Sequence, residues 1–542
     1  MNSHLMMASI ADFIGIAVLL VGLFALMSSH YMRAPLKSIA EYIRKAKRMQ
    51  NSIPPGSFGL PLIGESMQFI SSYRSSVCPD TFIAERRLRF GRIFTTHLFG
   101  KPTVISLDAE VNRFILNSDG RLFMPDYPTS LKQLWGKWAI LMLEGSFHKR
   151  IHGVVATLFK SDDLKDHLLR HIEDFIQQAM ESWNTNSTIY LEEEAKKISF
   201  QVTAKVLVGL DPGATTVALR TEFHKFIAGV VSVPINLPGT TFYSSLQSRA
   251  RMVQMIKGII EEREGNARHT DREQKHVVKV HLDVLGVLLE ERRLMNSKER
   301  EEGGEREEVT TTEAMPLDAI TDNIVSFFFP AEDSVAMLMS LAVKYVSECP
   351  RALLQLREEN LNFVDKYKGE KMNSRHYLMQ LPFTHCVLNE TLRLGNIVKG
   401  VIRKALVDVH VKGFLIPKGW AVFPFFRGVH LDEAIYEDAD QFNPWRWQEK
   451  VALSHYTPFG GGPRYCAGLD IARLEAAVFL HHLVTRYEWE LGERDTLTHF
   501  PFVKLAKRLP INIIHKQNCK NQSFPTLYNP TLQAIHVMYA RV

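Results

Sequence analysis

The stretch Phe459-Gly460-Gly461-Gly462-Pro463-Arg464-Tyr465-Cys466-Ala467-Gly468 decides the reading of this 542-residue protein. Three successive glycines open backbone angles closed to other residues and allow close approach to a flat partner. The helical run Leu469 to Tyr487 follows at once, so Cys466 stands at the mouth of a helix. There the positive end of the helix dipole favours a thiolate, which can act as a nucleophile or hold a metal. No histidine or asparagine stands nearby to build a protease-like dyad, although such partners can be distant in sequence. On these residues alone, an inert buried cysteine in a glycine-rich turn stands level with a reactive one.

The rest of the sequence narrows the choice. With 46% apolar, 10% aromatic and 23% charged residues, it excludes a disordered, collagenous or disulfide-stapled protein. At ~150 residues per domain the length suggests about three or four domains. No convincing linker divides it, so one large catalytic unit is expected. A net charge of +6 is mild for this length, and no arginine-rich or basic–aromatic run points to nucleic acid. Cys78, Cys349, Cys386, Cys466 and Cys519 are odd in number and hold no CxxC pair, which reads as reduced thiols.

Leu5 to Met27 is apolar except for Asp12 and a few small residues. Its length, at ~1.5 Å per residue, crosses a hydrocarbon core about 30 Å thick. Arg33, Lys37, Arg44, Lys45, Lys47 and Arg48 follow it and no Lys or Arg precedes it, which keeps everything downstream on the cytosolic side. A cleaved signal peptide would want a basic start and a shorter apolar core. The expected organisation is a membrane anchor over 1–30 and a basic, proline-rich linker over 31–61. A catalytic domain over 62–515 and a tail of no assigned role over 516–542 complete it. Pro54-Pro55-Gly56 forms a stiff elbow in that linker.

Arg92 to Leu107 alternates like a hairpin turning near Lys101-Pro102, and Ala405 to Phe426 reads as short strands turning at Pro417-Lys418-Gly419. Between Ala109 and about Gln380 helical periodicity dominates, as in Asp163–Trp183 and Met252–Glu264. Val231–Thr241, with Pro234, Pro238 and Gly239, separates two helices, and the charged run Lys298–Glu308 reads as a solvated loop. The fold class is mainly α with a minor β part.

The spacing Phe-x-x-Gly-x-Arg-x-Cys-x-Gly resembles the haem-binding signature of the cytochrome P450 superfamily, the haem-thiolate monooxygenases. The resemblance implies the P450 fold behind one transmembrane helix, with Cys466 as the axial ligand to haem iron. It implies Arg464 beside a haem propionate, and Phe459, Gly462 and Gly468 shaping the loop on the proximal face. Thiolate ligation pushes electron density onto iron and favours O–O cleavage. Glu390-Thr-Leu-Arg393 is similar to the family's helical Glu-x-x-Arg pair, whose charges share one helix face. Phe442-Asn-Pro444-Trp-Arg446-Trp447 resembles the segment whose arginine completes that structural charge cluster. Within Ile324–Val346, which Pro330 interrupts, Asp333 and Ser334 take the family's acid and alcohol positions, a proton relay to bound oxygen. His148 and His152 stand where the family carries Trp and Arg toward the propionates. Their i, i+4 spacing also suits a metal pair, but no third ligand is evident. Arg403 resembles another propionate partner.

Pro330–Pro350, Leu392–Gly400, Phe442–Gln448 and Ala472–Tyr487 resemble the plant branch that hydroxylates brassinosteroid precursors, particularly the hydroxylases that act at C-23 of the sterol side chain. Related members oxidise C-22 or C-26 of cholesterol-type sterols in saponin and alkaloid pathways. The implied protein sits in the endoplasmic reticulum membrane and takes electrons from NADPH through cytochrome P450 reductase. The substrate-lining segments carried over by position are Met124–Met142, Val230–Thr241, Ser326–Val335, Ile397–Ile402 and Phe500–Phe502. Lys399, a cation in an apolar segment, needs a partner there or a route to solvent. A haem-thiolate isomerase or dehydratase, and a catalytically silent sterol- or haem-binding protein, are the competing readings.

Overall fold

The computed structural model describes residues 52–60, 64–74, 80–184, 186–230, 232–273, 282–301, 315–448, 453–499 and 502–515. The expected anchor, the basic run, the tail, Cys78, Cys519 and Phe500 lie outside the described residues. Helices dominate, with a five-stranded sheet and three smaller ones at the periphery.

The five-stranded sheet begins with the expected hairpin, strands Ile93–Leu98 and Lys101–Ser106 in antiparallel register. The turn falls at Phe99-Gly100, just ahead of the expected Lys101-Pro102, because both residues take positive φ (52° and 78°). That pair of angles gives the tight hairpin turn whose twist matches its strands. Ala421–Pro424 joins in parallel, then Arg403–Ala405 and Phe123–Pro125 complete the sheet in antiparallel pairing. The proline-rich elbow lies along this sheet. Pro55 accepts from Thr95 N–H at 2.9 Å and Ser57 N–H donates back at 3.0 Å.

The helical side is organised around Leu317–Glu348, a 32-residue helix entered from Pro316. Its sequence is apolar on nearly every face, which is the pattern of a helix buried all round. It passes the length and hydropathy test for a membrane span, yet two-thirds of that window is buried inside the protein. Pro330 lies within it, and the helix continues through the proline instead of being interrupted. Packed against this central helix are Leu191–Val208, Thr241–Glu273, Pro382–Gly395 and Leu469–Arg486. Helices Ala214–Val230 and Thr241–Glu273 flank the proline-bearing segment as expected. The charged run differs: its first residues continue a helix, Val284–Glu301. Local i, i+3 and i, i+4 charge pairing suits such a run to an exposed helix as well as to a loop.

Candidate active site

The cysteine helix, Leu469–Arg486, is sealed from Leu474 to Val484, and Cys466 lies three residues before it. The loop is fixed first by its own backbone: Cys466 N–H donates to Phe459 O at 3.1 Å, and Gly460 N–H to Thr457 O at 3.1 Å. Gly460 and Gly462 adopt φ of 76° and 66°. A Cβ on Gly462 would collide with the Leu116 carbonyl, so this glycine lets the loop seat on the end of helix Ala109–Asn117. The Gly468 N–H points at the Cys466 sulfur and lowers its pKa, but burial raises it more, and the net shift is upward. Desolvation therefore outweighs the helix-mouth effect that the sequence suggested, and a bound cation is what would deprotonate this thiol. The thiol is enclosed by protein yet remains accessible.

A second accessible surface lies within the central helix. Phe327, Pro330, Ala331 and Ser334 are partly or fully accessible, as are Phe329 and Asp333, while the flanking stretches 319–326 and 335–344 are sealed. The i, i+3, i+4, i+7 spacing of Phe327, Pro330, Ala331 and Ser334 puts those four on one face. An accessible stripe in the middle of a core helix is surface that the protein's own packing leaves uncovered. An aromatic cluster joins three of the segments named by position: Trp135 packs on Tyr127 at 5.6 Å and on Phe329 at 5.7 Å, and Phe329 meets Phe502 at 5.2 Å.

Ser334 lies on that stripe and donates its hydroxyl to the Pro330 carbonyl. Asp333 lies off it, paired at 3.1 Å with Lys196 of helix Leu191–Val208. Burial alone would lower the Lys196 pKa, but Asp333 and Glu192 together hold it above the usual value. Neighbouring Glu332, absent from the sequence reading, is 1% exposed and faces His224 at 3.2 Å and Arg220 at 3.5 Å.

On the loop side, Arg464, Arg403, His148 and His152 converge. Arg464 donates to Asp119 at 2.6 Å, to Leu143 O at 2.6 Å and to Ile140 O at 3.3 Å. Arg403 lies 3.2 Å from the other Asp119 oxygen without hydrogen-bond geometry, and both of those atoms are buried without a hydrogen bond. His152 Nε2 meets Tyr465 O at 2.8 Å and its ring stacks on His148 at 5.5 Å. Burial, then Arg464, His152 and Arg403, push the His148 pKa down to about 3. Asp119 was invisible in the sequence because Asp119-Gly120 reads as an ordinary turn. Among the described residues no three His, Cys, Asp or Glu side chains group to hold a metal ion.

The Glu-x-x-Arg helix, Pro382–Gly395, carries a different kind of cluster. Glu390 and Arg393 are fully buried and bonded at 2.7 and 2.9 Å. Glu390 also accepts from Arg446 at 3.1 Å, Trp447 Nε1 at 2.9 Å and Asn443 N–H at 3.0 Å. Arg393 spends its remaining donors on the carbonyls of His430, Ala439 and Gln441. His430 in turn accepts from Thr457 N–H at 3.0 Å, two residues before Phe459, tying the cluster to the cysteine loop. Burial, Arg393 and Arg427 depress the His430 pKa to about 3 and keep it the neutral acceptor this bond needs.

Lys399 finds partners away from solvent: it donates to the His499 carbonyl and lies 4.2 Å above the Tyr73 ring. Burial and then Arg427 lower its pKa to about 7.

The Cytochrome P450 family profile matches residues 54–513 of this protein. The chain belongs to the cytochrome P450 family. It is a P450 monooxygenase whose cofactor is haem. The 3-epi-6-deoxocathasterone 23-monooxygenase CYP90D1 of Arabidopsis thaliana is 42% identical over 84% of this P450 and 89% of its own length. The cholesterol 22-monohydroxylase CYP90B52 of Paris polyphylla is 37% identical, covering 87% and 95%. Among solved structures, the retinoic acid-bound cyanobacterial CYP120A1 superposes with a TM-score of 0.71 at 26% identity, covering 86% and 99%.

Proposed function

We propose that this P450 hydroxylates the side chain of a sterol, with a brassinosteroid precursor as substrate and C-23 as the carbon attacked. The observation that carries the reading is the accessible stripe on the otherwise buried central helix, together with the aromatic walls that Tyr127, Trp135, Phe329 and Phe502 form by packing on one another. Such walls reward an extended apolar ligand through area removed from water. Relatives named for C-23 and C-22 oxidation of sterols, at 42% and 37% identity, support the same class.

The residues fit haem. Cys466 is an accessible residue, and among the described residues no cation contributes to the shift of its thiol. Arg464 and Arg403 gather positive charge around a single carboxylate, Asp119, which suits a ligand bearing carboxylates of its own. Haem bound through Cys466 would supply the activation of dioxygen. Arg464 and Arg403 would then hold the propionate edge, and the glycine turn would keep the thiol at a fixed height. Ser334, on the open stripe, is placed to hold a proton at its hydroxyl. Asp333, bound to Lys196, reaches that hydroxyl only by exchanging its ion pair.

The segment 5–27 anchors the protein in the endoplasmic reticulum membrane with the catalytic domain facing the cytosol. NADPH–cytochrome P450 reductase supplies the electrons. The test is NADPH-dependent turnover in reductase-containing membranes, offering brassinosteroid precursors beside cholesterol-type sterols and locating products by NMR. Hydroxylation of the precursors at C-23, lost in Cys466→Ala, is expected. Oxidation of cholesterol-type sterols alone, at C-22 or C-26, would move the protein to the second reading, a specialised steroid pathway. Product formation without NADPH or oxygen would point to an isomerase or dehydratase instead.

A further inference from the structure

One loop is gripped by side chains from two separate parts of the fold, with a third braced behind them. Asn323 of the central helix is fully buried, and its amide pairs with the backbone of residues 138–140 as a neighbouring strand would. Its Oδ1 accepts from Ile140 N–H at 2.9 Å, and its Nδ2 donates to Trp138 O at 2.8 Å and to Ala319 O at 2.7 Å. Both amide donors are thereby used. The preceding residue, Asp322, accepts from Trp138 N–H at 3.1 Å and from Arg249 of helix Thr241–Glu273. Gly136 turns the backbone at φ 94°, and a Cβ there would run into the Asp322 carboxylate and the Arg249 guanidinium. From the other side, Arg464 of the cysteine loop holds the carbonyls of Ile140 and Leu143.

Between those anchor points the loop presents Ile140, Leu141 and Met142, three consecutive apolar residues that are only half-buried although they pack on the main core. Trp135, at the start of the same loop, packs on Phe329 of the central helix at 5.7 Å. Three adjacent apolar side chains left partly accessible in a core are a wall awaiting a ligand.

We propose that Asp322 and Asn323 are positioning residues that set the height and register of the Ile140–Met142 wall, and so determine which carbon of the substrate is presented for oxidation. Neither of the two touches the substrate. They act through the loop backbone, and Arg249 extends the grip to the helix that covers the opposite side. The loop has no strand beside it: Arg464 and its own turns hold other parts of it, while Asp322 and Asn323 take the Trp138 and Ile140 amides, so loss of either loosens that stretch. The proposal rests on the sterol reading only in its choice of probe.

The experiment compares wild type, Asn323→Ala, Asp322→Asn and Arg249→Met, each purified with haem. Asn323→Ala is expected to lose about tenfold in kcat/KM, chiefly through KM, the size of effect that two lost backbone hydrogen bonds produce. Its product should spread over neighbouring carbons of the sterol side chain. Asp322→Asn keeps an acceptor for Trp138 and should show a smaller change in the same direction. An Asn323→Ala protein with normal haem content, KM and product pattern would overturn the proposal. If that variant cannot be recovered folded, an unchanged product pattern in Arg249→Met overturns it equally. Should wild type oxidise no sterol, the sterol reading fails. Hydrogen exchange at the Trp138 and Ile140 amides then decides on the clamp: faster exchange in Asn323→Ala upholds it, and unchanged exchange sinks it.

Discussion

Two buried charge clusters flank the cysteine loop, and they are built to opposite standards. Around Glu390 two arginines, Arg393 and Arg446, meet one carboxylate, and the hydrogen bonding is complete: the Arg393 guanidinium spends its donors on Glu390 and three carbonyls. Around Asp119 two arginines likewise face one carboxylate, but Arg403 Nε and Asp119 Oδ1 are left without hydrogen bonds. A completed network rigidifies its surroundings and has nothing to offer a ligand. An incomplete one carries a cost that a ligand of the right charge removes. On the proposed reading, that difference in hydrogen bonding makes the first cluster the scaffold and the second the haem edge.

Breaking the completed cluster should have the largest effect on the fold. Glu390→Ala strands Arg393 in the core and should cost about 3–5 kcal/mol, read from urea unfolding. A loss below about 1 kcal/mol would mean the network is dispensable. In the incomplete cluster the effects should divide differently. Arg403→Met should weaken haem retention by about 1–3 kcal/mol, measured by haem transfer to an acceptor protein. The stability of the haem-free protein should move by less than about 1 kcal/mol, because its Nε bond is missing there already.

Acid should sharpen the comparison next. His148 and His430 are held near 3 in the folded protein, against an ordinary 6.5. Between those values the unfolded state binds more protons than the folded one. Stability is therefore fully present above pH 6.5 and falls as the pH drops toward about 3. His148→Phe removes one of the two groups and should flatten the decline in unfolding midpoint below pH 6.5, and an unaltered decline would contradict the assignment. The smallest effect is expected at Lys399, which belongs to neither cluster. Lys399→Ile loses a bond to the His499 carbonyl and a contact with Tyr73, worth about 1 kcal/mol. Turnover and product pattern should stay unchanged, and an altered product would place this residue in the pocket.

What the sequence made legible follows from separation in residue number. Glu390 and Arg393 are three residues apart on one helix, and Cys466 stands in a ten-residue motif, so local spacing alone exposes them. Asp119 and Arg464, Lys196 and Asp333, or Asn323 and Ile140 are more than a hundred residues apart. Each looks unremarkable until the fold joins them. The three-residue strands Arg403–Ala405 and Phe123–Pro125 are likewise too short to show a period, and exist because a longer sheet accepts them. Pro330 misled in the other direction. It reads as an interruption, but the packing on both sides carries the helix past one lost hydrogen bond.

The most direct test of the account is one turnover of a brassinosteroid precursor under isotopically labelled dioxygen, with NADPH and reductase supplied and the label located by mass fragmentation. The account predicts one labelled oxygen atom on the sterol side chain, at C-23, and none in the Cys466→Ala protein. Label on the ring system, or a product carrying none, would contradict it.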